Sequence, residues 1–217
     1  MHYLPPIDDA LQQLPLADST LLRLADAALA EDDARTGEFQ QALLDDPAFA
    51  LWCVGWAWKH EERSLETVGE VVHWLNARGL AAIVNGADEA PTGKIDSLGC
   101  VRESLARRKA AAAADASVND QFMALLSNFA RWRGLLSANQ EEPDATIGPA
   151  WLRELANNVS EPAVADREID ASATNWQVNI PIAWPLFQRA VAMRHKLDEF
   201  ETRWDEAFLR EKLASMK

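Results

Sequence analysis

An all-α fold is what this 217-residue chain predicts, on three observations. Apolar residues recur at three- and four-residue intervals along almost every segment, continuous runs of β-branched residues are missing, and breakers rich in glycine, proline and acid separate the periodic stretches. With 48% hydrophobic and 25% charged residues, the composition is that of a soluble globular protein, long enough for one sizeable domain or two small ones.

Taken in order, four or five short helices are expected to fill residues 4–84. Ser19 is a candidate cap for a helix carrying Leu21, Leu22, Leu24, Ala25, Ala28 and Leu29. Asp46-Pro47 sets a capping acceptor before a proline at the first helical position, and "AFALWCVGWAWKH" continues it as a largely buried helix. Ser64 is read as opening the next helix, whose Leu65, Val68, Val71, Val72 and Leu75 make one apolar stripe. Residues 85–96, "NGADEAPTGKID", read as an exposed connection. A short helix is predicted around Ser97–Arg108; the alanine run after it favours helix but has little to bury, which leaves it open to fraying. Phe122, Leu125, Leu126, Phe129, Trp132 and Leu136 share one helical period. A further helix begins near Pro149, residues 159–181 read as irregular, and a final helix is expected from about Pro185.

The formal net charge of −13 is uneven: residues 1–84 carry −9, residues 85–185 carry −5 and residues 186–217 carry +1. So acidic a body repels phosphate backbones, which argues against a nucleic-acid partner. No apolar stretch reaches about 18 residues, so no membrane span is expected. The opening Met1-His2-Tyr3-Leu4-Pro5-Pro6 lacks a basic and then apolar leader, and a cytoplasmic location is expected. Cys53 and Cys100 show no CxxC spacing and read as two reduced thiols.

Three segments, "LPPIDDALQQL", "LLDDPAFALWCVGWAW" and "RSLETVGEVVHWLNARGLAAIV", carry a resemblance in order and spacing. Together they resemble the HDOD domain, a helical signalling module related to HD phosphohydrolases that generally lacks their metal site. The likeness covers Leu4 to about Val84, and Asp120–Asn157 more loosely. Trp58-Lys59 stands where that family often has an Asn-Ser pair, and Asn76 where glycine is common. The resemblance implies an HDOD-like helical bundle without catalysis of its own.

The residues agree with that implication. A metal phosphohydrolase needs adjacent His-Asp to hold the ion that activates water, and none of the four histidines precedes an aspartate. His60-Glu61 starts no HExxH, because Ser64 occupies the place of the second histidine, and His60 and His73 read as capping or bordering apolar faces. There is no GxSxG, no P-loop and no glycine-rich dinucleotide turn, and Cys53 has no basic residue before Lys59 to activate it. No catalytic, cofactor or metal residue is assigned, and the chain is not expected to be an enzyme. Nine tryptophans against one tyrosine is an unusual balance. Trp52, Trp56, Trp58 and Trp74 crowd two adjacent helices and are open to three uses: core of a bundle, docking face for a partner helix, or aromatic pocket for a small ligand.

From Ala190, apolar residues recur at Met193, Leu197, Phe200, Trp204 and Phe208, a 3-4-3-4-4 spacing that approximates a heptad seam before an extra step at Phe208. Charges of alternating sign flank it, from Arg194 to Lys212. Periodicity alone fits either a dimerisation seam or a terminal helix packed on its own bundle. The closing "REKLASMK" resembles the segment that leads, in bacterial sensor histidine kinases, into the dimerisation helix bearing the phosphorylated histidine; Glu211, Lys212, Leu213, Ala214, Ser215 and Met216 carry the match. That resemblance implies a two-component regulatory region, a homodimer through the C-terminal helix, and a kinase core in cis beyond Lys217. The alternative is a free-standing HDOD-like module that binds a protein or small ligand. The expected organisation is an N-terminal bundle over 1–84, a second helical part of the same domain over 85–181, and a C-terminal signalling helix, coiled-coil-like, over 182–217.

Overall fold

The computed structural model describes residues 14, 16–81, 84, 98–138, 148–158, 183–196 and 199. Most of these residues are helical, with no strand among them: α1 Asp18–Leu29, α2 Asp32–Asp45, α3 Pro47–Glu61, α4 Val68–Trp74, α5 Leu98–Ala113, α6 Val118–Leu126, α7 Phe129–Ala138, α8 Ala150–Asn158 and α9 over residues 183–196. The all-α expectation holds. The opening Leu4-Pro5-Pro6, the connection at 85–96 and the irregular stretch at 159–181 lie outside the described residues.

At the centre is α3. Every residue from Asp46 to Ala57 is buried, so the helix has no solvent face, as its continuous apolar sequence requires. Around it, α1 packs on α2, α2 on α3 and α4, and α5 on α6, while α3 touches α5 and α6 and α8 rests on α6 and α7. The buried side chains of all these helices form one cluster, which α9 joins through Ala183, Trp184, Phe187, Ala190 and Val191.

A single side chain organises the junction of α1, α2 and α3. Asp46, fully buried, caps α3: its Oδ1 accepts from the backbone N–H of Ala48 and of Phe49, both at 3.0 Å. Its Oδ2 accepts from the N–H of Ala17 at 3.0 Å and the Thr20 hydroxyl at 2.8 Å, at the start of α1. The Ser19 expected as the cap of α1 instead lies inside its first turn, and Ala17 at the cap position supplies no side-chain acceptor. Burial pushes the Asp46 carboxyl above the ordinary aspartate value, against the pull of these hydrogen bonds.

Helix α4 starts three residues later than the Ser64 expected from the pattern. Thr67 is the cap: its hydroxyl accepts from the Glu70 N–H at 3.2 Å, and Glu70 Oε2 accepts from the N–H groups of Thr67 at 3.0 Å and Glu66 at 2.8 Å, a reciprocal capping box. Leu65 is buried all the same, from the extended segment before the helix. After Trp74 the helix widens into a π-turn, Leu75–Gly79. There the Trp74 indole lies over Gly79, where an added Cβ would meet the ring at 2.8 Å, and Trp74 Nε1 donates to Glu61 Oε2 at 3.1 Å. Gly148 is the other constrained glycine, at φ 84° with Phe129 and Leu152 closing on its Cα.

Helix α5 runs on through the alanine run to Ala113, exposed at its end, and the chain turns at Asp115 with φ 54°. The single period expected over Phe122–Leu136 is broken by a turn at Ser127-Asn128, where the buried Asn128 amide donates to the Cys100 carbonyl at 3.3 Å. Next to it Trp132 Nε1 donates to the buried Ser104 hydroxyl at 3.2 Å. The final helix is already formed at residue 183, ahead of the expected Pro185, which it contains.

Two outcomes test these junctions. Asp46→Ala strands three backbone N–H groups and a hydroxyl in the core and is expected to destabilise the protein by roughly 3–5 kcal/mol in urea unfolding, with Asp46→Asn in between. Glu70, held below the ordinary value of 4.5 first by the Glu66 N–H bond, contributes stability that is present above that value and lost as pH falls through the lowered one. Glu70→Ala therefore lowers the melting temperature by about 2–4 °C at neutral pH, and the difference from wild type closes in acid.

Candidate functional site

The described residues offer two candidate surfaces, the tryptophan cluster and the C-terminal helix. Trp52 and Trp56, one turn apart on α3, stack with ring centroids 5.1 Å apart and planes 15° from parallel. They and Trp74 are at most 2% exposed, so these three rings lie inside the hydrophobic core. Trp58, near the end of α3, is half-buried.

Helix α9 is different in kind, because it has two apolar faces. The inner face, Ala183, Trp184, Phe187, Ala190 and Val191, is buried, with Trp184 and Phe187 tilted against each other at 5.7 Å. The outer face carries Leu186, 45% exposed, and Met193, 55% exposed. Seven residues separate them, so they stand within about 20° of one another on the helix; Leu186 is about 100° from Phe187 and about 40° from the buried Ala190, so this exposed stripe borders the inner face. Ala190, from which the seam spacing is counted, is buried on the inner face, and Met193 is the first exposed residue of the seam; Leu197, Phe200, Trp204 and Phe208 lie outside the described residues. Leu186 was not part of the seam as read from Ala190 onward, yet it continues the stripe one heptad earlier. Past Val191 the described residues are no longer buried, and His195 is an exposed partner of Glu199 at 3.6 Å, a pair worth little.

The titratable groups have structural settings. Burial, and secondarily the Asp46 charge, pushes the Cys53 thiol well above its ordinary range, and burial raises Cys100 to about 11. Both are free thiols buried in the core. His73 is exposed on α4, and the side chain of His60 lies outside the described set. Among the described residues no three His, Cys, Asp or Glu side chains gather as a metal site would require, and no helix is long and apolar enough to cross a membrane. Glu103 on α5 is clamped by Arg107 at 2.6 Å and by Arg131 of α7 at 2.7 Å; despite partial burial these two partners hold its carboxyl below the ordinary range.

No family model, curated protein or solved structure matches this chain.

The two surfaces differ measurably. Trp56→Ala removes a stacked core ring and is expected to cost about 3–5 kcal/mol in denaturant unfolding. Leu186→Gln and Met193→Gln, on the solvent face of α9, are expected to change stability by no more than about 0.5 kcal/mol.

Proposed function

We propose that this chain is the non-catalytic sensory or regulatory region of a two-component histidine kinase, an HDOD-like helical body that acts through its C-terminal helix. The observation that carries the reading is the two-faced α9. One face is sunk in the body's core, and the other presents Leu186 and Met193 in the heptad register that Leu197, Phe200 and Trp204 continue in sequence. The occupant of that outer face is a second copy of the same stripe, since a heptad pattern with alternating flanking charges is self-complementary in a parallel pair. The resemblance of "REKLASMK" to the segment preceding a kinase dimerisation helix supports the same polarity, with the kinase core in cis.

The mechanism follows from rigidity. A close-packed core does not deform continuously, so a change in the body reaches Trp184 and Phe187 as a discrete shift of α9. The paired helices then exchange between packings a few kcal/mol apart, and the extra step at Phe208 is where such a change of register is least costly.

Sedimentation equilibrium tests the proposal on the full chain. A concentration-dependent dimer is expected, and Leu197→Asp with Trp204→Asp is expected to raise its dissociation constant roughly 100-fold without lowering the melting temperature of the body. A chain that stays monomeric at every concentration would sink the proposal and favour a free-standing HDOD-like module instead.

A further inference from the structure

A cavity of about 220 Å³ opens where α1, α2 and α5 meet, and its wall is unusual for a protein of net charge −13. Three cations line it, Arg23 of α1 and Arg108 and Lys109 of α5, with one carboxylate, Asp45 of α2, and the hydroxyls of Ser19 and Thr20. Asp45 is the bracket that sets the two guanidinium groups. Its Oδ1 accepts from Arg108 Nη1 at 3.0 Å, and its Oδ2 from Arg23 Nη1 at 3.3 Å and Gln41 Nε2 at 2.9 Å. Arg108 is held deep, its side chain only 17% exposed, and Glu38 approaches Arg23 Nε at 3.7 Å.

The hydrogen-bond valence of this wall is one-sided. Both oxygens of Asp45 already accept donors, and the Thr20 hydroxyl proton is directed to Asp46 behind it. The donors are in surplus. Each guanidinium has five N–H groups; the Arg108 Nε–H is buried with no partner, and Lys109 makes no ion pair, among the described residues. A site whose one carboxylate is already engaged on both oxygens and whose charged donors are in surplus selects a ligand made of acceptors. The volume, about 220 Å³, is that of about seven waters at about 30 Å³ each, enough for a phosphate group.

We infer that this cavity is a binding site for a phosphate group, held by Arg23, Arg108 and Lys109 on the Asp45 bracket, either as free phosphate or as the head of a small phosphomonoester. The site is separate from the outer face of α9 and stands whether or not the chain dimerises.

Calorimetric titration of the full chain at low ionic strength tests it, with inorganic phosphate and ethyl phosphate as probes and acetate as the control. Saturable binding of at least one phosphate probe is expected, weakened about tenfold in Lys109→Gln, and lost in Arg108→Gln. Lys109 is exposed and makes no hydrogen bond or ion pair among the described residues, so its variant reads the site with little effect on folding. Tighter binding of ethyl phosphate assigns the site to a monoester, and tighter binding of inorganic phosphate assigns it to the free ion. Absence of saturation, acetate binding as tight as phosphate, or undiminished phosphate affinity in both variants would overturn the inference.

Discussion

The body of this protein is assembled around one buried carboxylate. Asp46 has to be inside, because it sits between the end of α2 and the start of α3, and α3 is apolar on every side. A buried carboxylate is costly unless its lone pairs are filled, and here four donors from two helix starts fill them. The same bonds that satisfy the charge fix where α1 begins relative to α3. The core then closes around that frame: Leu21 and Leu24 from α1, Phe39 and Leu43 from α2, and the Trp52–Trp56 stack from α3 are all buried beside it. A polar requirement thereby sets the geometry in which apolar surface is removed from water, and the apolar surface supplies most of the stabilisation.

The second half of the molecule is fastened to this frame by polar ties placed among apolar contacts. Arg108 reaches from α5 to Asp45, Asn119 of α6 accepts from the Val68 N–H at 3.2 Å, and Trp132 and Asn128 of the α6–α7 region reach back to α5. Helix α9 then docks through Ala183, Trp184, Phe187, Ala190 and Val191, aromatic and small side chains that join the same core. In the role proposed for the chain, this contrast matters. The body is cross-tied by these hydrogen bonds, whereas the buried face of α9 packs by apolar side chains, the kind of contact that shifts between discrete seats.

Much of this was legible in the residues, and the failures have physical reasons. The all-α class, the buried α3 and its Asp46-Pro47 start follow from local pattern, which is what helix periodicity and capping report. The start of α4 was misplaced because Ser64 and Thr67 both have capping chemistry, and only the Glu70 carboxylate folded back on Thr67 distinguishes them. The break between α6 and α7 depends on Asn128 finding the Cys100 carbonyl 28 residues away, which no local window contains. The pairing of Trp74 with Gly79 is five residues apart, outside α-helical spacing, and exists only because the turn there is a π-turn. On α9, the stripe from Met193 was visible, but Leu186 could be assigned to it only once burial separated the inner face from the outer. The cationic cavity draws Arg23, Asp45 and Arg108 from three helices across the chain, so it has no sequence signature at all.

The neighbours Asp45 and Asp46 are chemically identical and face opposite worlds. One holds two arginines at a half-open surface, the other caps a helix in the dry interior. Sliding the α2–α3 corner by one position would hand each carboxylate the other's duties, with a solvated ion-pair acid driven inward and the capping acid turned out. A single insertion or deletion at this corner therefore upsets both junctions at once, even though the composition of the corner, two aspartates and a proline, is that of an ordinary surface loop.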